Sequence, residues 1–220
     1  MRIWREVYAV VPAKGGGEAK SRLASAHSMQ FRSGLAQAML HDVLAALSTV
    51  AELAGVIVVT DDPVTAEIAA IHRARVMEDG TRDGHTGAVM AGARLLLREG
   101  ATGMLTVPGD IPLITSREVS QLFAVHGTGL AVSMVPAHDL RGTNAILMTP
   151  ADGLELAFGN DSFQPHLAAA RDLGIEPAVV ELQGIGLDID TASDLDRLMQ
   201  RPSPTRTWAF LASKGLVHAI

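Results

Sequence analysis

Cysteine is absent from this 220-residue chain. That excludes disulfides and thiolate metal sites and fits a reducing cytoplasm. Aromatic residues are scarce, at 4%, so any core must be assembled from Ala, Val, Leu, Ile and Met. There is no excess of positive charge: 18 Lys and Arg stand against 24 Asp and Glu, for a net charge of -6. No basic run exceeds a few residues, which argues against a protein that coats nucleic acid. No apolar run approaches the roughly 20 residues of a membrane span. Arg5 and Glu6 interrupt the N-terminus too early for the apolar core of a signal peptide. The chain is expected to be soluble and cytoplasmic, with neither nucleic acid nor membrane as a partner. Several motifs are missing as well. The eight histidines form no His-x-His or His-Glu-x-x-His spacing, which speaks against zinc. Gly-x-Ser-x-Gly does not occur, and neither does the Gly-Lys-Ser/Thr ending of a Walker loop.

What the chain does have is 48% hydrophobic residues, enough for a sizeable core. It also has one stretch that organises the rest, Val10 to Leu23. An apolar run from Val7 to Val11 feeds Pro12, Ala13, Lys14, Gly15, Gly16 and Gly17, followed by Lys20, Ser21 and Arg22. Glycines let backbone N–H groups approach an anion, and Lys14, Lys20 and Arg22 supply countercharge. The stretch predicts a cradle for a nucleotide's phosphates; the plainer alternative is a solvated basic loop.

Buried strands are expected at Val7 to Val11, Gly55 to Thr60, Ala74 to Met77, Gly103 to Val107, Gly129 to Val135, Asn144 to Met148 and Ala178 to Leu182. Helical periodicity covers Met29 to Val50, Val64 to Ile71 and Thr86 to Arg98. A capping box at Thr115 opens a helix to about Val125. Ser162 is placed to cap a helix through Leu173, and Thr191 caps another to about Met199. Strands alternating with helices predict an α/β fold, a mostly parallel mixed sheet covered on both faces in a Rossmann-like three-layer αβα arrangement. Ligands of such sheets bind beyond the carboxyl ends of the strands, where Pro12 to Arg22, Asp61, Asp62 and Pro108 to Asp110 would gather. One domain is expected over 1–200. Beyond it, 201–220 reads as a linker and an apolar tail that docks on its own subunit or on a partner, a homodimer being one outcome.

Three carboxylates can hold a metal. Asp110 ends a buried strand between Pro108 and Pro112, with Gly109 leaving room for a ligand. Asp188 and Asp190 alternate along an extended segment, so both point to one side. Together they suit Mg²⁺, which prefers oxygen ligands and borrows some from phosphates. Thr143 and Asn144 open a strand with groups that can bind an anion. Gly159 and Ser162 lie before a helix whose first N–H groups form a ready anion site.

The ordered set Val-Pro-x-Lys, Ala-Lys-Ser-Arg-Leu, Gly-Asp-Ile-Pro-Leu, Gly-Thr-Asn-Ala, Phe-Gly-x-Asp-Ser and Leu-Asp-Ile-Asp-Thr, from Val7 to about Leu198, resembles the guanylyltransferases of deazaflavin coenzyme (F-420) biosynthesis. The resemblance implies the nucleotide-diphospho-sugar transferase fold and transfer of GMP from GTP to a phosphorylated three-carbon acid, with pyrophosphate released. That acid would be phospholactate, phosphoenolpyruvate or 3-phosphoglycerate. Lys14, Lys20, Arg22 and Asp110 would be catalytic. Pro12, Ala13, Lys14, Gly15, Lys20, Asp83, His85 and Gly109 would bind the nucleotide, and Thr143, Asn144, Gly159 and Ser162 the acid. Asp110, Asp188 and Asp190 would hold one or two Mg²⁺, and the product would pass to the next transferase of the pathway. This chain has Gly84-His85-Thr86 where relatives commonly show Leu-Asn, so no guanine-reading residue carries over. The alternatives are a nucleotidyltransferase using CTP or UTP and a non-catalytic nucleotide-binding subunit.

Overall fold

The computed structural model describes residues 6–13, 15, 20–24, 26–78, 80–81, 84–159 and 161–220. Strands β1 (Val7–Pro12), β2 (Leu53–Val59), β3 (Arg75–Met77), β4 (Gly103–Thr106), β5 (Ala131–Pro136), β6 (Thr143–Thr149) and β7 (Ala178–Val179) form one sheet in the order β3-β2-β1-β4-β6-β5-β7. β1 is parallel to both β2 and β4, whereas β6 runs antiparallel to β4 and to β5. This is the mixed, mostly parallel α/β sheet expected from the pattern.

Seven α-helices are described: α1 (Met29–Leu47), α2 (Pro63–Ile71), α3 (Gly84–Arg98), α4 (Ser116–Val125), α5 (Phe163–Asp172), α6 (Ala192–Met199) and α7 (Arg206–Ser213). β1 alternates between two cores, because successive side chains leave opposite faces of a strand. Val7, Ala9 and Val11 pack with Leu40, Val43 and Leu44 of α1, Ile68 of α2 and Leu122 of α4. Val10 packs on the other face with Val89 and Leu96 of α3 and Leu167 of α5. Where α3 crosses β1, a Cβ on Gly92 would lie 2.7 Å from the Val10 side chain. Glycine there lets the helix approach the central strand.

Local signals set most element ends. Asp62 accepts from Thr65 N at 2.8 Å, starting α2. Both reciprocal bonds of the capping box are present at Thr115 and again at Thr191. α3 begins at Gly84 rather than Thr86, so His85 lies within its first turn. Ser162 departs from the expected role. It has helical dihedrals and makes no side-chain capping bond; its Oγ accepts instead from Thr143 N at 3.1 Å. Helical geometry at Ser162 turns the hydroxyl away from the following turn and toward β6. The first N–H of α5 is also occupied, since Phe163 N donates to Arg141 O at 2.9 Å.

A third apolar cluster joins Leu35 and Met39 of α1 to Leu195 and Leu198 of α6 and Leu211 of α7. The tail therefore docks on its own chain. Asp42 of α1 accepts from Arg206 N and Thr207 N, each at 2.8 Å, and Trp208 Nε1 donates to His218 O at 2.9 Å. No described helix is long and apolar enough to cross a membrane.

Candidate functional site

Two clefts meet beyond one edge of the sheet. β1, β2 and β4 are parallel, so the chain leaves all three at that edge, placing Pro12, Asp61 and Pro108 to Asp110 together. β6 is antiparallel to β4, so its beginning, Thr143 and Asn144, reaches the same edge. Ile189 N donates to Asp110 O at 3.1 Å, which ties the segment carrying Asp188 and Asp190 to the end of β4.

The first cleft is lined by Pro12, Ala13, Lys20, Asp61, Thr81, His85, Gly109 and Asp110, with Met39, Val59 and Ala88 as apolar walls. The second is lined by Arg22, His85, Asp110, Thr143, Asn144, Gly159, Ser162, Asp188 and Asp190, with Arg141, His138 and Phe158 around them. His85, Pro108 and Asp110 belong to both, forming the wall where the clefts join.

At that wall the Lys20 ammonium donates to Asp110 Oδ2 and, at 2.8 Å, to Asp190 Oδ1. Its side chain is only 7% exposed. Burial alone would lower the Lys20 pKa, but the Asp110 and Asp190 carboxylates outweigh it and hold the pKa above its ordinary value. Burial works on Asp190 in the opposite sense. It would raise the carboxyl, but Lys20, Arg22 and His85 bring the pKa below the usual carboxylate value. Arg22 Nη1 stands 3.5 Å from Asp190 Oδ2. Asp188 has no such cation among the described residues. Burial raises its pKa, and the Asp110 and Asp190 charges add to this against the hydrogen bond from Asn144. Asn144 Nδ2 donates to Asp188 Oδ1 at 3.0 Å and to Ile185 O at 2.9 Å, so its amide fixes the carboxylate.

Among the described residues, no three His, Cys, Asp or Glu side chains are gathered into a ready metal cluster. The donor set nevertheless fits a hard cation. Asp110 Oδ1 is buried and has no hydrogen-bond partner among the described residues. A buried carboxylate oxygen without a partner is costly, and Asp188 and Asp190 offer only oxygen beside it.

Lys14 and Asp83 lie outside the described residues, as do Gly16 and Gly17. Gly15 is described: a Cβ there would fall 2.7 Å from Asp62, so this residue lies against the start of α2. A Cβ on Gly109 would point at Leu40 Cδ1, 3.3 Å away, so that glycine also serves packing beneath the cleft. On Gly159 it would meet nothing within 4 Å.

Sequence reasoning gave no site role to Thr81, His138, Arg141, Phe158 or His166, and it placed Asp61 at the ligand-binding edge without a role. Asp61 had a signal, its place just after β2. Arg141 stands just before the Gly-Thr-Asn-Ala motif; its Nε donates to Asp161 at 2.6 Å at the rim of the second cleft. His166 had no signal, for it sits within α5 behind Thr143.

The family model described as "Guanylyl transferase CofC like" matches residues 7–218, including the tail. A phosphoenolpyruvate guanylyltransferase of Roseiflexus castenholzii is 38% identical over 96% of this chain and 98% of its own length. A 3-phospho-D-glycerate guanylyltransferase of Colwellia psychrerythraea is 32% identical over 89% of this chain and 92% of its own. Among solved structures, a putative nucleotide-diphospho-sugar transferase of Desulfovibrio desulfuricans G20 superposes with a TM-score of 0.73 over 95% of both chains. At 16% identity it shows the fold.

Proposed function

Because this chain belongs to the CofC-like guanylyl transferase family, we propose that it joins the GMP moiety of GTP to the phosphate of a phosphorylated three-carbon acid. A phosphate oxygen of the acid forms a bond to the α-phosphorus. The bond from the α-phosphorus to the bridging oxygen breaks, and pyrophosphate leaves with the electron pair. The nucleophile is already an anion, so no strong base is needed. Positioning and charge neutralisation carry the reaction.

One observation supports this most directly: Lys20 is fastened between Asp110 and Asp190 where the two clefts join. The reacting phosphate would lie at that wall, GTP extending into the first cleft and the acid into the second. In the first cleft the base would lie among Pro12, Ala13, Val59 and Ala88. The Asp61 carboxylate there is an acceptor suited to guanine, whose N1–H and N2 amino group both donate. Arg22 would neutralise phosphate charge, and Thr143, Gly159 and Ser162 would surround the acid. Asp110, Asp188 and Asp190 would hold Mg²⁺, which when bound supplies Lewis-acid neutralisation of the phosphate oxygens. The product, an acid linked to guanosine through a diphosphate, would be consumed by a transferase that discards GMP.

The test is pyrophosphate release with GTP and Mg²⁺, offering phosphoenolpyruvate, 3-phosphoglycerate and phospholactate separately and checking the product mass. Release that needs both GTP and one of the acids is expected. Equal release from CTP or UTP, or none with any acid, would refute the assignment.

A further inference from the structure

The second cleft's Thr143 hydroxyl is held by a buried histidine whose tautomer the hydrogen bonds define. Ala157 N–H donates to His166 Nε2 at 3.0 Å. A backbone N–H can only donate, so Nε2 must be the unprotonated nitrogen. His166 is 1% exposed, and burial pushes its pKa down to about 4, so the ring is neutral at pH 7 and carries its proton on Nδ1. That N–H points at Thr143 Oγ1, 3.0 Å away. Thr143 Oγ1 is thus an acceptor from His166. The Ser162 hydroxyl approaches the same oxygen as a second, longer donor at 3.4 Å, while Ser162 Oγ itself accepts from Thr143 N. With its lone pairs engaged by His166 and Ser162, the Thr143 hydroxyl has one thing left to offer, its own proton. None of the described residues accepts it, and Thr143 lines the second cleft.

We propose that His166 is a positioning residue which fixes Thr143 as a dedicated hydrogen-bond donor to an anionic oxygen of the acid substrate. This rests on the guanylyl-transfer assignment for the identity of the anion, but the relay from Ala157 N–H through the imidazole to Thr143 is a property of the fold. The geometry has a consequence for binding. A threonine hydroxyl free to rotate can accept as well as donate, and pays rotational entropy when a ligand fixes it. Here the histidine removes the choice, so the subsite discriminates for an oxyanion and against a donor group at that point. Phe158 closes the other side, its ring 5.0 Å from His166 and 4.7 Å from His85, centroid to centroid. The relay is thereby shielded from water.

Two isosteric replacements separate the two ends of the imidazole. The Asn side-chain amide can take the place of Nδ1, and that of Gln the place of Nε2. H166N therefore keeps a donor for Thr143 and loses the acceptor for Ala157 N. H166Q keeps that acceptor and loses the donor. A hydrogen bond to a charged group is worth about 1.5–3 kcal/mol, or about 10- to 100-fold. The expected result is that H166Q and T143V each raise the KM for the acid by about that factor, leaving the KM for GTP within about threefold. H166N should recover most of the loss, and the H166Q/T143V double variant should be no worse than T143V alone. Equal KM effects of H166N and H166Q, effects that add in the double variant, or a matching rise in the KM for GTP would overturn the proposal.

A second measurement does not depend on turnover. Nitrogen-15 NMR of the histidine side chains at pH 7 should show His166 protonated on Nδ1, and protonation on Nε2 would overturn the proposal even in an active enzyme. If the tautomer is as stated but no acid supports pyrophosphate release, the functional assignment fails. The relay then stands if T143V weakens phosphoenolpyruvate binding in calorimetry, and it falls if T143V does not.

Discussion

Replacing Lys20 with methionine probes the site at its most charged point. The ammonium is the direct partner of Asp110 and Asp190, and methionine keeps most of the volume while removing the charge. Breaking a buried ion pair by deleting one partner costs about 3–5 kcal/mol, because the remaining charge is left uncompensated. Asp190 is 40% exposed and Asp110 25%, so water and the nearby Arg22 recover part of that, leaving a cost of about 2–4 kcal/mol. For a chain of this size, about 2–4 °C of Tm corresponds to each kcal/mol. K20M should therefore melt about 5–15 °C below the parent in EDTA. Once the ammonium is gone, Asp110 and Asp190 lose their buried countercharge beside the Asp188 carboxylate, and Arg22, 3.5 Å from Asp190 Oδ2, offsets only part of it. Millimolar Mg²⁺ should then raise the Tm of K20M by more than it raises that of the parent, while turnover stays depressed by at least about 100-fold. Differential scanning fluorimetry across a Mg²⁺ titration makes the comparison. A K20M protein as stable as the parent in EDTA, or equal Mg²⁺ shifts for the two, would refute both the charge argument and the metal-binding assignment.

Three further outcomes follow from the same geometry. Asp110→Asn should lower turnover by about 100- to 1,000-fold while leaving a folded protein, since the substitution removes charge at the join of the clefts without changing shape. Rate measurement with circular dichroism as a fold control checks this, and retained activity would exclude Asp110 from the reaction. Asp61→Asn should erode the preference for GTP over ITP, which lacks the N2 amino group, by about tenfold; an unchanged ratio would remove Asp61 from base recognition. Stability should also fall on acidification. His126 and His166 are each pushed from 6.5 to about 4 by burial, so the folded state holds them neutral and the unfolded state protonates first. Their contribution is complete above about pH 6.5 and is lost between there and pH 4, about 2–3 kcal/mol each. Urea midpoints measured from pH 7 to 4.5 should drop, with a shallower slope in His126→Gln; identical slopes would refute the assignment to His126.

Which parts of this molecule could be read in advance follows from how far apart the deciding groups lie. β1 and β4 were legible because a short run of buried aliphatics ending at proline needs no partner to be recognised. The caps at Thr115 and Thr191 were legible because both members of each box lie within three residues. The edge where Pro12, Asp61 and Asp110 meet followed from parallel topology alone. What could not be read is how polar atoms are shared across the fold. Ser162 satisfies the local rule for a cap, yet its oxygen is taken by the N–H of Thr143, 19 positions away. Asn144 carries an amide suited to a ligand, yet that amide is bonded to Asp188 and Ile185. Lys20, expected to be a phosphate clamp, is held by carboxylates 90 and 170 positions along the chain.

These three differences share a physical cause. A site that handles several phosphates must concentrate charge at a sheet edge before the substrate arrives, and each buried polar group needs a partner in the meantime. The residues that motif spacing marks as ligand-binding are therefore the ones whose resting hydrogen bonds are drawn inward, to one another. Asn144 positions Asp188, Lys20 joins Asp110 to Asp190, and Thr143 is braced by Ser162 and His166. Substrate binding at such an edge is an exchange of partners rather than the filling of an empty pocket. On that account, the groups to watch for recognition are those whose resting bonds leave a polar atom over. Two such groups in the second cleft are the hydroxyl proton of Thr143 and Oδ1 of Asp110.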